Sequence, residues 1–292
     1  LVAAGNIFMG MTESPVLIKN YLPTMNRSEI FLVMVSGMGT IAGSVMGTYI
    51  GMLGGTDPAA KVLFATHLLS ASVMAVPGSI VLAKMLCPQT EEATDHVAIS
   101  GKEKENSNIL DAISSGTVTG VKLMTNIAAM LLVFISLVAL ANYITEGVIG
   151  RYTGLNDWIV KITDGKAQGL TFQFILGVIT SPFMWLIGVP SQDIMLVGSL
   201  LGQKTILNEF VAYFQLQQWK DAGLFMYEKS ILMSTYILCG FANISSIGIL
   251  LGGLGVLAPE KRGLISRIGV PAMIGGALVS VLSATIIGMI LG

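Results

Sequence analysis

The chain has 292 residues, of which 53% are hydrophobic and 11% are charged, and its mean hydropathy is +0.77. Soluble domains usually contain about 25% charged residues, so the composition excludes an ordinary soluble domain and predicts an all-helical, multi-pass membrane protein. The net charge of −1 offers no basic field for nucleic acid. The two histidines and two cysteines have neither metal-binding spacing nor a disulfide framework.

The first 22 residues form an apolar segment that is interrupted by the polar stretch GMTESP. Glu13 and Ser14 occupy positions where a helix would start, and Pro15 suits the first turn of that helix. We therefore expect residues 1–22 to form part of a re-entrant helical hairpin. Because the chain starts with apolar residues and no methionine, we also expect it to begin inside an element.

Two membrane spans are predicted next, at residues 30–53 and 61–86, because each segment is apolar and long enough to cross a bilayer. The centre of the first span, SGMGTIAGSV, is rich in glycine and hydroxyl side chains. Two interpretations of this centre are open. Its glycines could allow helices to pack closely, or the helix could be unwound there and turn its carbonyls toward a site.

The middle of the chain, residues 89–170, is predicted to hold a cytoplasmic loop followed by a scaffold span at about residues 118–145. The loop contains alternating acidic residues and lysines between residues 91 and 105, which is typical of a solvated connector. Residues 171–187 are apolar but contain glutamine, serine and proline. We expect them to form a helix that lies at the membrane interface rather than one that crosses.

A second interrupted element is predicted at residues 189–218, around the stretch GQKTILNEFVAY. Lys204 and Glu209 stand between apolar runs that are each too short to span a membrane. A charged loop between two spans is the simpler alternative, but a broken helix that faces a protein cavity better explains ionisable groups in this position. We expect a re-entrant hairpin whose second helix begins near Lys204 or Thr205.

The last two spans are predicted at residues 226–255 and 264–291. The first of them has a polar centre, CGFANISSIG, in which Asn243 and Ser246 are three residues apart. That spacing places both side chains on one helix face. They could line a site, or they could simply hydrogen-bond to a neighbouring helix.

The chain contains an internal repeat. A constant shift of 202 residues aligns Ser28 with Ser230 and Ser44 with Ser246, so that hairpin, polar-centred span, turn and span occur twice in the same order. Internal repeats of this kind are typical of inverted-repeat transporters with discontinuous transmembrane helices. The predicted division is a first repeat at residues 1–88, a middle segment at 89–170 and a second repeat at 171–292.

Four segments of the chain, GNIFMGMTESPVLI, TIAGSV, GQKTILNEFVAY and CGFANISSIG, resemble the marked segments of the concentrative nucleoside transporter family, in the family's order. The likeness runs from the first residue to the last, although family members have further spans before this start. The resemblance implies a homotrimer in the plasma membrane, or in the inner membrane of a bacterium. In each protomer a scaffold would hold a mobile transport domain that moves like an elevator.

The resemblance also implies where a nucleoside binds. The ribose would be held by Glu209, Asn243 and Ser246. The base would meet a set of hairpin and helix residues, namely Met11, Thr12, Glu13, Val45 and Phe241. The family's common glutamine is replaced by Met11 here, and methionine accepts hydrogen bonds only weakly and donates none, so we expect altered or broader base selectivity.

The coupling ion implied by the resemblance is sodium. Its ligands would be the side chains of Asn6 and Thr40 and the backbone carbonyls of Met9 and Ile41, and such oxygen ligands suit a hard cation. Asn6 could instead serve as a helix cap. Some family members couple to protons, and Glu13 or Glu209 could then carry the proton, because burial raises the pKa of a carboxylate.

Three functions compete at this point: a cation-coupled nucleoside symporter, a passive channel, and an intramembrane hydrolase that uses Glu13 and Glu209 as an acid–base pair. No nucleophile paired with a base is evident in the sequence, and neither rival needs two hairpins in a duplicated arrangement. The sequence therefore favours a sodium-coupled nucleoside symporter without an enzymatic cofactor.

Overall fold

The computed structural model describes residues 1–91, 108–163, 165 and 167–292. Within these residues all regular secondary structure is helical. The chain divides into two compact units: unit 1 comprises residues 1–97 and 173–292, and unit 2 comprises residues 98–172. The charged connector expected between residues 91 and 105 falls almost entirely outside the described residues.

The first half of unit 1 begins with short helical pieces and ends with a long helix. In chain order it contains α1 (Val2–Gly5), a 3-10 helix (Ser14–Ile18), α2 (Arg27–Met38), α3 (Gly43–Gly54) and α4 (Pro58–Leu86). A capping box starts α2, because Asn26 accepts from the Glu29 N–H while the Glu29 carboxylate accepts from the Asn26 N–H. Asp57 caps α4 with two hydrogen bonds to its first turn.

Unit 2 is organised along one long helix. It contains α5 (Ile109–Asn142), a π-helix (Tyr143–Gly150), α6 (Arg151–Thr153) and α7 (Leu155–Ile162). The Asn108 side chain accepts a hydrogen bond from the Asp111 N–H at 2.9 Å, and this N-cap starts α5 well before the predicted start of the span near residue 118.

The second half of unit 1 repeats the plan of the first. In chain order it contains α8 (Phe172–Leu186), α9 (Ile194–Ile206), α10 (Glu209–Asp221), α11 (Glu228–Leu238), α12 (Ile244–Leu257), a 3-10 helix (Pro259–Lys261) and α13 (Arg262–Ile290). The pair α11 and α12 corresponds to α2 and α3, and α13 corresponds to α4. The predicted all-helical fold with repeated, interrupted helices is thereby confirmed.

The break in the second hairpin lies later than the sequence suggested. The second helix, α10, begins at Glu209, whereas Lys204 and Thr205 belong to the last turn of α9. The expected start near Lys204 was therefore wrong. The physical reason is that Asn208 is the capping residue, since its side chain accepts a hydrogen bond from the Val211 N–H at 2.9 Å.

Among the described residues, three helical segments are long and apolar enough to cross a membrane: Arg27–Gly54, Pro58–Leu86 and Pro259–Ile290. Shorter apolar helices are also present, as expected for a multi-pass membrane protein whose helices are interrupted. Two buried clusters of apolar side chains hold unit 1 together. One joins the second hairpin to α3, α4 and α11, the other joins the first hairpin to α2, α12 and α13, and Phe241 packs against both.

Candidate functional site

The two interrupted helices of unit 1 cross at their breaks. The first break separates α2 from α3 at Gly39–Ala42, and the second separates α11 from α12 at Cys239–Asn243. The N–H of Phe241 donates to the carbonyl of Thr40 at 3.2 Å. Since α3 and α12 both begin beside this crossing, their N-terminal dipole ends, which favour electronegative groups, lie close together.

The SGMGTIAGSV segment is both interrupted and closely packed in this structure. The helix is interrupted between Met38 and Gly43. The glycines are also tightly packed, because a Cβ added at Gly37 would lie 2.8 Å from the Cβ of Met11, and one added at Gly39 would lie 3.0 Å from Val279. Close packing and local unwinding therefore occur together.

Glu209 lies at the first position of α10 and is 7% exposed. Its carboxylate accepts two hydrogen bonds from distant parts of the chain: the Asn243 Nδ2 donates to Oε2 at 3.0 Å, and the Tyr49 hydroxyl donates to Oε1 at 3.3 Å. Asn243 comes from the second half of unit 1 and Tyr49 from the first. The carboxylate is thus held between the two halves.

Asn243 caps α12 and connects Glu209 to Ser246. Its Oδ1 atom accepts hydrogen bonds from the Ser246 N–H at 2.9 Å, from the Ser246 hydroxyl at 3.0 Å and from the Ser245 hydroxyl at 2.6 Å. These bonds orient the amide so that its NH₂ group faces Glu209. The three residues predicted to hold a sugar therefore form one buried hydrogen-bonded cluster.

The first hairpin packs beside the crossing. Its turn is closed by the Gly10 N–H, which donates to the Glu13 carboxylate. Met11 is buried against α2, and Thr12 lies against α12, where a Cβ added at Gly253 would be 3.0 Å from the Thr12 methyl group. Among the described residues, no hydrogen bond joins Glu13 to Glu209.

Two of the residues predicted for sodium, Asn6 and Thr40, meet at Ser36. Asn6 is fully buried, its Nδ2 donates to the Ser36 hydroxyl at 3.1 Å, and its Oδ1 accepts from the Ser14 hydroxyl at 2.5 Å. The Thr40 hydroxyl donates to the Ser36 carbonyl at 3.0 Å. Asn6 is thus the C-cap residue of α1, as the alternative expected, while its side chain bonds to neighbouring hydroxyls.

The backbone beside this cluster provides further oxygen atoms. The first hairpin is tied to α3 because the Gly43 N–H donates to the Phe8 carbonyl at 2.9 Å. In the described part of the chain, the carbonyls of Met9 and Ile41 accept no hydrogen bond. Carbonyls that are free at helix breaks, together with amide and hydroxyl oxygens, match the donor set that a hard monovalent cation needs.

Lys204 lies at the end of the first helix of the second hairpin, not at the start of its second helix as expected. It is fully buried in the last turn of α9, and its Nζ donates to the Ile237 carbonyl at 2.8 Å and to the Ser280 hydroxyl at 3.1 Å. Ser280 in turn donates to the Cys239 carbonyl at 3.2 Å. The ammonium group thus lies at the C-terminal end of α11, where a positive charge is favourable.

Sequence reasoning missed two residues that contact the candidate site. Tyr49 lies one helical turn after Val45 in α3 and shares its helix face, whereas Ser36 lies in α2, four residues before Thr40 in the break. The spacing of four residues from a predicted site residue was the available signal in both cases. Val45 and Phe241, the expected apolar walls, are partly buried and pack against the cluster that contains Tyr49.

Helical hairpins and two crossing interrupted helices with buried polar groups at their breaks define a membrane transporter of the discontinuous-helix class. The family described as "Na+ dependent nucleoside transporter C-terminus" matches residues 67–288. The chain therefore belongs to the concentrative nucleoside transporter family.

Individual relatives agree with this assignment. An uncharacterized transporter of Haemophilus influenzae is 40% identical over 293 residues, which cover 99% of this chain and 65% of that protein. Sodium/nucleoside cotransporter 1 of Rattus norvegicus is 39% identical over 304 residues, which cover 99% of this chain and 44% of that protein. The chain therefore spans less than two thirds of the length of these relatives, which are named as transporters rather than enzymes.

Solved structures of the protein CNTnw share the fold. CNTnw in an inward-facing substrate-bound state is 36% identical, with a TM-score of 0.82, over 100% of this chain and 64% of that chain. A CNTnw variant in an outward-facing state gives a TM-score of 0.84 at 36% identity, over 99% of this chain and 64% of that one.

Proposed function

We propose that the protein carrying this chain is a secondary active symporter that imports nucleosides together with sodium. The observation that carries the proposal is the buried cluster of Glu209, Asn243 and Ser246 beside the crossing of two helix breaks. The names of the relatives that are sodium/nucleoside cotransporters support the same function. We also propose that the protein completes the transport cycle as a homotrimer in a lipid bilayer, either the plasma membrane or the inner membrane of a bacterium.

The chemistry of the cluster suits a ribose. A sugar diol offers two donors and two acceptors, while a carboxylate accepts and an amide or a hydroxyl can do both. The hydrogen bonds that Glu209, Asn243 and Ser246 now make to one another can be exchanged for bonds to the diol. A buried site built in this way strongly rejects analogues that lack a hydroxyl group.

The base is assigned to the first hairpin and the crossing. Thr12 and Glu13 would provide polar contacts, whereas Val45 and Phe241 would provide apolar walls. Met11 packs with the buried residues of α2, so it offers volume rather than a hydrogen bond. We therefore expect this protein to accept a broader range of bases than a protein with glutamine at this position.

The cation is assigned to the oxygen atoms around Ser36. Asn6 and Met9 belong to the first hairpin, whereas Thr40 and Ile41 belong to the break between α2 and α3. A sodium ion held by both would fix the hairpin against that break, next to the crossing where the sugar would bind. Binding of one solute would then favour binding of the other, as a symporter requires.

Alternating access is proposed to follow an elevator mechanism, in which the part of the protein that holds the two sites moves across the membrane as a body. The support for movement comes from CNTnw, whose structures with this fold are described as inward-facing, outward-facing and intermediate states. Proton coupling through Glu209 is the second candidate, and the test below separates the two ions.

The experiment is uptake of radiolabelled uridine and adenosine by proteoliposomes that contain the protein, first under a sodium gradient and then under a proton gradient alone. Glu209→Gln tests the sugar cluster and Asn6→Ala tests the cation cluster. The matched controls are Glu228→Gln and Asn20→Ala, because both side chains are exposed on the same unit. The recovered label is identified by chromatography.

Accumulation driven by sodium, lost in Glu209→Gln and Asn6→Ala and retained in both controls, is the expected result. Accumulation driven only by protons would refute the sodium assignment and leave the nucleoside assignment standing. Equilibration without accumulation would indicate a channel, and chemically altered label would indicate a hydrolase. Either of the last two results would overturn the symporter proposal.

A further inference from the structure

Tyr49 lies in the first half of unit 1 and contacts the carboxylate of Glu209 in the second half. It lies in α3, its side chain is fully buried, and its hydroxyl donates to the Oε1 atom of Glu209 at 3.3 Å. The other carboxylate oxygen, Oε2, accepts from Asn243. The two oxygens of Glu209 are therefore distinguished by their partners, one facing an aromatic hydroxyl and the other facing the amide of the predicted sugar cluster.

The ring of Tyr49 is held on two sides. It stacks on Tyr213 with the ring centroids 4.1 Å apart and the planes at 24°, and it meets Phe210 at a tilted angle with the centroids 6.1 Å apart. Both neighbours belong to α10, the helix that Glu209 begins. The hydroxyl of Tyr49 thus has a fixed position relative to the carboxylate, because the ring that carries it packs against the helix that carries Glu209.

We propose that Tyr49 is a positioning residue for nucleoside recognition: it holds one oxygen of Glu209 so that the other is presented, with Asn243, to the sugar hydroxyls. This inference rests on the proposed function and adds to it a residue that acts through Glu209. Without the Tyr49 hydroxyl the carboxylate loses one of the two side-chain donors that the described residues provide, and its rotation about the side-chain bonds is no longer restricted to the orientation that faces Asn243.

Selectivity for sugar hydroxyls follows from this arrangement. A buried carboxylate with a missing donor is poorly satisfied and binds whichever donor is available. At a rigid site, a sugar that lacks a hydroxyl leaves a fixed acceptor without a partner. At a loosened site the same sugar therefore loses less affinity. Removal of the Tyr49 hydroxyl should therefore weaken the discrimination between ribonucleosides and deoxynucleosides.

The chain itself provides the control. Tyr213 is stacked on Tyr49 and is equally buried, but its hydroxyl donates to the Thr235 carbonyl at 2.8 Å rather than to Glu209. Tyr49→Phe and Tyr213→Phe each delete one buried hydroxyl from the same stacked pair and retain the ring. A difference between the two variants therefore reports the contact with Glu209 and not the loss of a buried hydroxyl in general.

The test measures KM and maximal rate of uptake for uridine, 2′-deoxyuridine and 3′-deoxyuridine in proteoliposomes of the wild type and of both variants. Thermal unfolding of each purified protein checks that it is folded, so that equal amounts of folded protein are compared. For Tyr49→Phe we expect the KM for uridine to rise about tenfold. We also expect a smaller rise for at least one deoxynucleoside and a nearly unchanged maximal rate. Tyr213→Phe should change each KM by less than about twofold.

Failure of the proposed function and failure of this inference alone give different results. If the wild type takes up none of these nucleosides, the proposed function fails and this inference fails with it. If the wild type transports uridine but Tyr49→Phe behaves like Tyr213→Phe, only the role of Tyr49 is refuted. The same conclusion follows if Tyr49→Phe raises the KM for all three nucleosides equally, because a general loosening of the fold has no preference for a sugar hydroxyl.

Discussion

The backbone N–H of Phe241 and the carbonyl oxygen of Thr40 are 3.2 Å apart, and this hydrogen bond joins the two interrupted helices at their crossing. Neither helix could use these groups internally, since both residues lie outside regular helix. Buried backbone groups need partners, and here each break provides a partner for the other. The polar backbone of the crossing is therefore satisfied in part without water or ligand.

Close approach at the crossing depends on Gly240, and its substitution should be costly. A Cβ at this position would lie 2.7 Å from the Ser280 hydroxyl and 2.9 Å from the Met38 carbonyl. We expect Gly240→Ala to destabilise the protein by about 1–3 kcal/mol, as overpacking usually does, and to reduce uptake. Gly248→Ala is the control, because a Cβ at Gly248 would meet nothing within 4 Å. Equal thermal unfolding of the two variants would contradict the close approach.

Lys204 should stabilise the second hairpin through its hydrogen bonds to Ile237 at the end of α11 and to Ser280 in α13. Lys204→Met keeps most of the volume but leaves the Ile237 carbonyl without its donor, and a buried unsatisfied group costs about 1–3 kcal/mol. The control is Lys220→Met, whose more exposed ammonium pairs with Asp221 at 2.9 Å and should contribute less than about 1 kcal/mol. A higher unfolding temperature for Lys204→Met would show that burial of the ammonium is a net cost.

Asp193 should close the base of the second hairpin. Its fully buried carboxylate accepts hydrogen bonds from the Met226 N–H at 3.0 Å and from the Tyr227 N–H at 3.1 Å. Asp193→Asn replaces one accepting oxygen with an NH₂ group that cannot accept, so we expect a loss of about 1–3 kcal/mol in unfolding free energy. Asp221→Asn, in the same hairpin but exposed, should have almost no effect. Calorimetry of the two purified variants measures the two losses in unfolding free energy.

Met11 should broaden the range of accepted bases. Glutamine at this position restores a donor and an acceptor, so Met11→Gln should change the ratio of uridine to adenosine uptake by about three- to tenfold. Met85→Gln is the control, because Met85 is 70% exposed in α4. An unchanged ratio in Met11→Gln would refute the idea that this residue influences base selectivity.

The sequence drew attention to the positions of the breaks but did not decide their structure. Close packing and an unwound helix were both open for residues 36–45, and residues 239–248 were predicted as the polar centre of a span; the structure interrupts both helices there. The sequence also identified Glu209 and Asn243, because a carboxylate and an amide are conspicuous in apolar surroundings. Their hydrogen bond required the structure, since the two residues lie on separate elements.

Tyr49 shows why the rest could not be read from the sequence. A tyrosine on an apolar helix usually packs in the core or lies at the membrane interface, and no local pattern distinguishes one that bonds to a carboxylate 160 positions away. The same limit applies to Lys204. Its position near a break was clear, but the carbonyl that it contacts belongs to a helix that follows the whole second hairpin.

The polar groups of the site are divided between the two halves of unit 1. Tyr49 belongs to the first half, whereas Glu209 and Asn243 belong to the second, so neither half alone holds the whole hydrogen-bonded cluster. The two halves differ from each other at matched positions. The shift of 202 residues places Ile41 opposite Asn243 and Ala242 opposite Thr40, so each half has an apolar residue where the other has its polar one.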